Sequence, residues 1–382
     1  MKAISILLLL FTGVTAGAQT KRLLYGVHKV GFGYTVLFDN SRPAIQEQLS
    51  SKNGRIIVVN MWYPARSVKG APNTFADYVH LAGRELTDTV TNGSWQHKGV
   101  NKYFEWPASA GADKNAFSAF LVQKTPMRAY RHASFSATDH PVILLVHGFA
   151  ADYAYLAEYL ASHGAVVMHV PTKGTLRYEL DYAEKGLESQ VRDYEFALAF
   201  LTKRYSLRAN TVAAVGFSFG GQSAVALAMR NHNIRAVVSL DGGIGSDFGG
   251  TLLSRQTFYD STRITAPILH LYNPKDPYTY LTWLNRYTQT FRCYIAFNHV
   301  EHGYFTSAGL LRRQLPDIMG KTAPDPGDAY EALMLLTNEF IQTQFKQASW
   351  DNRLDHLKKR FPWMSRPIAR IEIRKAATTA GG

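Results

Sequence analysis

The chain has 382 residues, of which 46% are hydrophobic and 19% charged, a composition that excludes a largely disordered protein. Its formal net charge is +13. The single cysteine, Cys293, excludes a framework of internal disulfides. Because Cys293 lies in an apolar, strand-like run, we interpret it as a buried structural thiol rather than as a nucleophile.

Residues 1–18 have the pattern of a signal peptide. Lys2 supplies a positive charge, and residues 4–12 form an apolar run well short of the roughly 20 residues that span a bilayer. Small residues at Ala16 and Ala18 suit a cleavage after Ala18. We therefore expect an exported protein, periplasmic or extracellular. An uncleaved anchor is the alternative, and the shortness of the run argues against it.

Two strand patterns open the mature chain. Residues 31–38 alternate between apolar and polar, and residues 55–63 form a stronger run that Pro64 is expected to end. We expect the two strands to pair antiparallel. Residues 67–125 then form an insertion rich in Trp, Tyr and Phe. This composition suits a hydrophobic lid, and packing of the insertion on itself explains it equally well.

From Pro141 onward, strand patterns alternate with helical ones. The predicted strands are 142–146, 165–170, 211–215, 234–240, 267–272 and 292–297. The predicted helices are 153–162, 177–203, 219–231, 278–287 and 330–345. The first strand is apolar throughout, as a strand covered on both faces must be. The order predicts an α/β domain over 19–348, with a mostly parallel central sheet and helices on both faces.

The remaining residues, 349–382, form a basic C-terminal extension. Between positions 351 and 382, eight Lys and Arg residues stand against three acidic ones. A solvated tail explains this charge, and so does peripheral contact with an anionic surface. The chain carries no recognised nucleic-acid-binding motif, so we expect no nucleic-acid partner.

The segment Gly216-Phe217-Ser218-Phe219-Gly220 fits the pattern Gly-x-Ser-x-Gly between a predicted strand and a predicted helix. A serine on such a sharp turn takes strained dihedral angles, and glycine on either side removes a clashing Cβ. The N-terminus of the following helix favours the negative charge that develops in acyl transfer. The pattern predicts Ser218 as a nucleophile.

The segment His147-Gly148-Phe149 directly follows the strand 142–146. In a sheet of this kind, an oxyanion hole combines the N–H after the nucleophile with an N–H from this earlier loop. We therefore predict Phe149 and Phe219 as the oxyanion donors. His147 precedes the nucleophile, and we interpret it as structural.

The general base is expected after the last strand, where His299 and His302 both qualify. We prefer His302, because the glycine that follows it allows the loop to turn the ring back toward Ser218. The acid that orients the base has two candidates at strand ends, Asp241 and Asp276. Each also has a purely structural explanation: Asp241 belongs to an Asp-Gly turn, and Asp276 could cap the helix that follows it.

From Arg55 to about Phe305 the chain resembles bacterial α/β-hydrolases similar to platelet-activating-factor acetylhydrolase, within the wider dienelactone-hydrolase-like set. The shared segments are 61–65, 147–149, 160–164, 216–221, 240–242 and 302–306. The resemblance implies the α/β-hydrolase fold, and it places the acid after the strand that follows the elbow helix. It therefore favours Asp241. Asp276, which occupies the acid position of the commoner hydrolase pattern, leaves the assignment open.

These residues together predict a serine hydrolase that cleaves a carboxylic ester, small or lipid-like, without a cofactor. Ser218, His302 and Asp241 form the predicted triad. No metal is expected, because no His or carboxylate pairs stand at ligand spacing near the strand ends. An amidase or peptidase with the same triad is the nearer alternative, and a non-catalytic binding protein on a hydrolase scaffold is the more distant one.

Overall fold

The computed structural model describes residues 23–45, 54–87, 99–105, 113–122, 125–136, 139–208, 210–275, 281–298, 300–315, 326–361, 364 and 370–371. The predicted signal peptide, the alternative base His299 and the alternative acid Asp276 lie outside these residues.

Eleven strands form one mixed sheet within the described chain. They are β1 (Lys29–Asp39), β2 (Arg55–Ser67), β3 (Ala129–Arg131), β4 (Ser134–Phe135), β5 (Val142–Val146), β6 (Val166–Val170), β7 (Val212–Phe217), β8 (Ile234–Leu240), β9 (Ile268–Tyr272), β10 (Arg292–Ala296) and β11 (Arg370–Ile371). Their order is β11-β10-β9-β8-β7-β5-β6-β2-β1-β3, with β4 paired to β2. The six consecutive strands from β10 to β6 are all parallel, which confirms the predicted mostly parallel sheet.

Helices cover both faces of this sheet, as predicted. They are α1 (Phe75–Thr87), α2 (99–105), α3 (Lys114–Val122), α4 (Ala150–Ser162), α5 (Glu184–Tyr205), α6 (Phe219–Arg230), α7 (Asp247–Ser254), α8 (Ala308–Gln314), α9 (Pro326–Lys346) and α10 (Trp350–Arg360). Buried residues of α1, α3, α4, α9 and α10 form the core on one face, and those of α5, α6 and α7 form the core on the other. Of the helices in the described residues, none is both long enough and apolar enough to cross a bilayer.

The first two strands pair antiparallel over their whole length, from Lys29 opposite Ala65 to Asp39 opposite Arg55. The prediction that Pro64 ends β2 was wrong, because the strand continues to Ser67. The pairing of β2 with β6 extends only over Asn60–Trp62. At Pro64 the strand has therefore passed β6, and a residue without an N–H is tolerated there.

The described part of the insertion packs against α4. The Phe75 ring stacks on Tyr155 of α4 at a centroid distance of 5.6 Å. The Tyr78 hydroxyl donates to the buried Glu158 carboxylate at 2.7 Å. Aromatic rings of α1, α2 and α3 also contact one another. This packing places α1 beside the N-terminus of α4. The segment 147–149, called the oxyanion loop below, ends there.

Two later segments differ in detail from the sequence pattern. The helix predicted from Arg177 begins at Glu184, because the preceding residues fold back and Asp181 accepts the N–H groups of Thr175 and Ala183. The segment predicted as a basic extension contains α10, whose Trp350 is buried edge-on against Phe340. The two residues of β11 then pair with β10.

Candidate active site

Ser218 occupies the turn between β7 and α6, as the sequence pattern indicated. Its backbone φ is 53° and its ψ is −123°, a strained conformation for a residue with a side chain. A Cβ on Gly216 would strike the Gly220 carbonyl, and a Cβ on Gly220 would strike the Val146 carbonyl. The two glycines therefore permit the close packing that holds Ser218 at the end of the sheet.

His302 begins a short 3₁₀ turn after β10, and its ring reaches back to the serine. The Nε2 atom lies 3.0 Å from Ser218 Oγ. The ring also packs on Phe217, with centroids 4.7 Å apart. The side chain is 48% exposed. His302 can thus exchange a proton with Ser218 while its ring remains open to solvent.

Asp241 directly follows β8 and is held by contacts on both carboxylate oxygens. Oδ2 lies 2.7 Å from His302 Nδ1, and Oδ1 accepts the Asn273 N–H at 2.8 Å. The backbone takes a positive φ of 45°, and its N–H donates to the Leu271 carbonyl at 2.7 Å. The Asp241 side chain is only 3% exposed. Asn273, which directly follows β9, was not expected from the sequence as a partner of the acid.

The structure therefore brings three of the predicted site residues into one hydrogen-bonded chain: Ser218, His302 and Asp241. A buried carboxylate on Nδ1 favours the imidazole tautomer that carries its proton there, which leaves Nε2 free to accept the serine proton. This arrangement can activate a serine for attack on a carbonyl carbon. Among the described residues, no group of three or more His, Cys, Asp and Glu side chains is placed to hold a metal ion.

The two predicted oxyanion donors differ in their surroundings. Phe219 is the first residue of α6, where backbone N–H groups have no acceptor within the helix. Phe149 precedes α4, and its N–H donates to Asp152 Oδ2 at 2.8 Å. In this conformation the N–H of Phe149, one of the two predicted oxyanion donors, is therefore already bonded to Asp152.

The physical reason lies in the start of α4. An acidic residue at the third helical position commonly accepts the N–H of the residue that precedes the helix. Asp152 stands at that position relative to Phe149. The sequence signal for this contact is an aspartate three positions after Phe149, at the start of a helix.

The Thr172 hydroxyl fastens the oxyanion loop to the end of β6. It accepts the Gly148 N–H at 3.0 Å and the Gln190 side-chain amide at 2.8 Å. Both oxygen lone pairs are then used, so the hydroxyl proton is directed to His147 Nδ1, 3.0 Å away. Burial, with a smaller effect of His302, lowers the pKa of His147 to about 4. His147 is thus neutral and serves as an acceptor within the loop.

A second acid lies behind the same loop. Glu85 of α1 is 1% exposed and accepts the Ala150 N–H at 3.2 Å. Its Oε1 also accepts from the Asn60 amide at 2.5 Å. Burial raises the pKa of Glu85 to about 8, although these hydrogen bonds oppose the shift. The N-terminus of α4 therefore holds two carboxyl groups, on Glu85 and Asp152.

A family model described as the alpha/beta hydrolase family matches residues 143–372. Among solved structures, a ferulic acid esterase from Streptomyces cinnamoneus matches with a TM-score of 0.54 and 18% identity, over 84% of this chain and 89% of that one. A puromycin hydrolase matches with a TM-score of 0.45 and 11% identity, over 84% of this chain and 40% of that one. No curated protein matches the chain. The family match covers more than half of the residues, and the chain therefore belongs to the alpha/beta hydrolase family.

Proposed function

We propose that the protein is a serine hydrolase that cleaves carboxylic esters through an acyl-enzyme on Ser218. The observation that carries the proposal is the hydrogen-bonded chain from Ser218 Oγ through His302 to Asp241. Membership of the alpha/beta hydrolase family supports a hydrolytic reaction in general, and the ester is the narrower part of the proposal.

The proposed reaction follows from these contacts. Ser218 Oγ attacks the ester carbonyl carbon while His302 Nε2 takes the serine proton. The Phe219 N–H and, once released, the Phe149 N–H stabilise the oxyanion. His302 then gives its proton to the leaving alcohol, and Asp241 stabilises the charged imidazole throughout. Water, activated by His302, attacks the acyl-enzyme and releases the acid and Ser218.

Two assays on the mature protein test this proposal. A fluorophosphonate probe is expected to label the wild-type protein but not Ser218→Ala. Absence of labelling would favour a non-catalytic binding protein. Matched ester and amide substrates then compare the two hydrolytic reactions, and faster turnover of the amide would favour an amidase or peptidase. A feruloyl ester is included among the ester substrates, because a protein of the same fold is a ferulic acid esterase.

We also propose that the chain is related to bacterial α/β-hydrolases similar to platelet-activating-factor acetylhydrolase. The support is the set of shared segments within residues 61–306 of the sequence. Export is proposed on the apolar run and small residues within positions 1–18. Contact with anionic surfaces is proposed on the basic residues after position 351. Fractionation of the producing cell, followed by vesicle binding with and without anionic lipid, tests the last two points separately.

A further inference from the structure

The bond between the Phe149 N–H and the Asp152 carboxylate has a consequence for catalysis. The proposed reaction requires a donor for the oxyanion, and the resting structure directs this N–H to Asp152 Oδ2 at 2.8 Å. A backbone N–H has one proton, so a substrate oxygen and the carboxylate compete for it. Asp152 is also close enough to Gly148 that a Cβ there would lie 2.6 Å from Oδ2.

We propose that Asp152 is a positioning residue that gates the oxyanion hole. Its carboxylate holds the Phe149 N–H when the site is empty, and the carbonyl oxygen of the substrate must replace it for catalysis. This inference rests on the proposed function, because it assigns a role to the same site.

The charge of Asp152 determines how difficult this replacement is. A hydrogen bond to a carboxylate is roughly twice as strong as one to a neutral acceptor. An ionised Asp152 beside the hole also repels the oxyanion as it forms, since like charges at close range oppose each other. A neutral group at this position removes the repulsion and weakens the hold on the N–H.

The surroundings of Asp152 bring its titration into an accessible pH range. Burial raises the pKa of Asp152 to about 6, and the hydrogen bond from Phe149 opposes the shift. The titratable groups that face it come from α1, α2, α4 and α9: Glu85, Tyr103, Tyr153 and Tyr330. Glu85 in turn is influenced by Lys173, whose positive charge favours the ionised form of Glu85. Asp152 as a residue is only partly buried among these groups, so it lies within reach of solvent protons.

A simple helix cap is the competing explanation, and the chain offers a matched control for it. Asp77 stands at the third position of α1 and accepts the Thr74 N–H at 2.7 Å, as Asp152 accepts that of Phe149. Asp77 also accepts from the Thr74 hydroxyl and pairs with Arg131. Asp77 has no contact with the oxyanion loop in the described structure. If both acids are only caps, Asp152→Asn and Asp77→Asn will each lower thermal stability and leave turnover unchanged.

The test compares kcat, KM and the rate of fluorophosphonate labelling across pH for wild type, Asp152→Asn, Asp152→Ala and Asp77→Asn. At about pH 8 both Asp152 variants are expected to exceed wild type in kcat by roughly threefold or more, because a neutral or absent acceptor holds the N–H less firmly. Their advantage is expected to shrink toward about pH 5, where Asp152 itself becomes protonated. Asp77→Asn is expected to follow wild type at every pH.

Two results would overturn the inference, and they are distinguishable. If wild type is labelled but the rate ratio between Asp152→Asn and wild type stays flat or below one at all pH values, gating is wrong and the proposed function stands. If neither wild type nor the variants are labelled, both proposals fail. Circular dichroism and a thermal melt identify any variant that does not fold. If one of the two Asp152 variants does not fold, the other one tests the inference.

Discussion

Asp241 and His302 lie 61 residues apart in the chain, and Asp241 Oδ2 is 2.7 Å from His302 Nδ1. Each residue follows a strand, β8 in one case and β10 in the other. Because these strands run parallel, their carboxyl ends meet at one edge of the sheet. The second carboxylate oxygen is satisfied by the Asn273 N–H, after the strand that lies between them.

Asp241→Asn is expected to lower kcat by about two to four orders of magnitude, because an amide in place of the carboxylate neither stabilises the charged imidazole nor fixes its tautomer. Asp276→Asn is the matched control, and we expect it to keep most of the activity. Steady-state kinetics on a short-chain ester measures both. The reverse result would assign the acid to Asp276.

His302→Gln is expected to remove nearly all turnover, by roughly three orders of magnitude or more, because His302 is the one side chain of the described residues that is hydrogen-bonded to Ser218 Oγ. His299→Gln is expected to retain activity. Both variants are assayed on the same ester, with their folding checked by circular dichroism. Full activity in His302→Gln would refute the assignment of the base.

Glu85→Gln is expected to flatten the decline of stability with pH. The folded-state pKa of Glu85 is raised to about 8, above its ordinary value, so folding favours the protonated form. The stability that this group contributes is complete below its unfolded pKa and is lost as pH rises through about 8. Glutamine cannot ionise and keeps an oxygen for the Ala150 N–H.

Urea unfolding at a series of pH values measures this effect. The variant is expected to gain at least about 1 kcal/mol on wild type between pH 5 and pH 9, since one pKa unit corresponds to about 1.4 kcal/mol. Glu105→Gln is the control, because the Glu105 side chain is 63% exposed. Parallel curves for wild type and Glu85→Gln would show that Glu85 ionises normally in the fold.

Thr172→Val is expected to destabilise the oxyanion loop. Valine matches threonine in shape but cannot accept the Gly148 N–H and the Gln190 amide or donate to His147. Leaving such groups unsatisfied costs about 1–3 kcal/mol of unfolding free energy. If the loop also positions Phe149, kcat falls while KM changes less.

Thr175→Val provides the comparison for this variant, since the Thr175 hydroxyl makes one exposed bond, to the Lys185 carbonyl at 3.2 Å. We expect it to behave as wild type in both unfolding and kinetics. If Thr172→Val matches Thr175→Val in unfolding and in kinetics, Thr172 does not stabilise the loop.

The sequence alone determined the alternation of strands and helices, and with it the mostly parallel sheet. That information is local, because the apolar run of β5 and the Gly-x-Ser-x-Gly turn are each contained in a few neighbouring residues. It therefore indicated Ser218, and it indicated that His302 follows the last long strand. Local patterns were weaker at element ends. They predicted that β2 ends at Pro64, whereas its pairing with β1 continues to Ala65. They also predicted that α5 begins at Arg177, whereas it begins at Glu184.

The tertiary structure decided which groups touch. The local sequence pattern could not distinguish Asp241 from Asp276 as the acid of the triad, because each is an aspartate that follows a predicted strand. The described structure brings Asp241 to His302, and only folding can bring together residues so distant in the chain. The same holds for Glu85, which reaches the start of α4 from another helix. Burial there raises its pKa, and burial is a property of the packed fold rather than of any short segment.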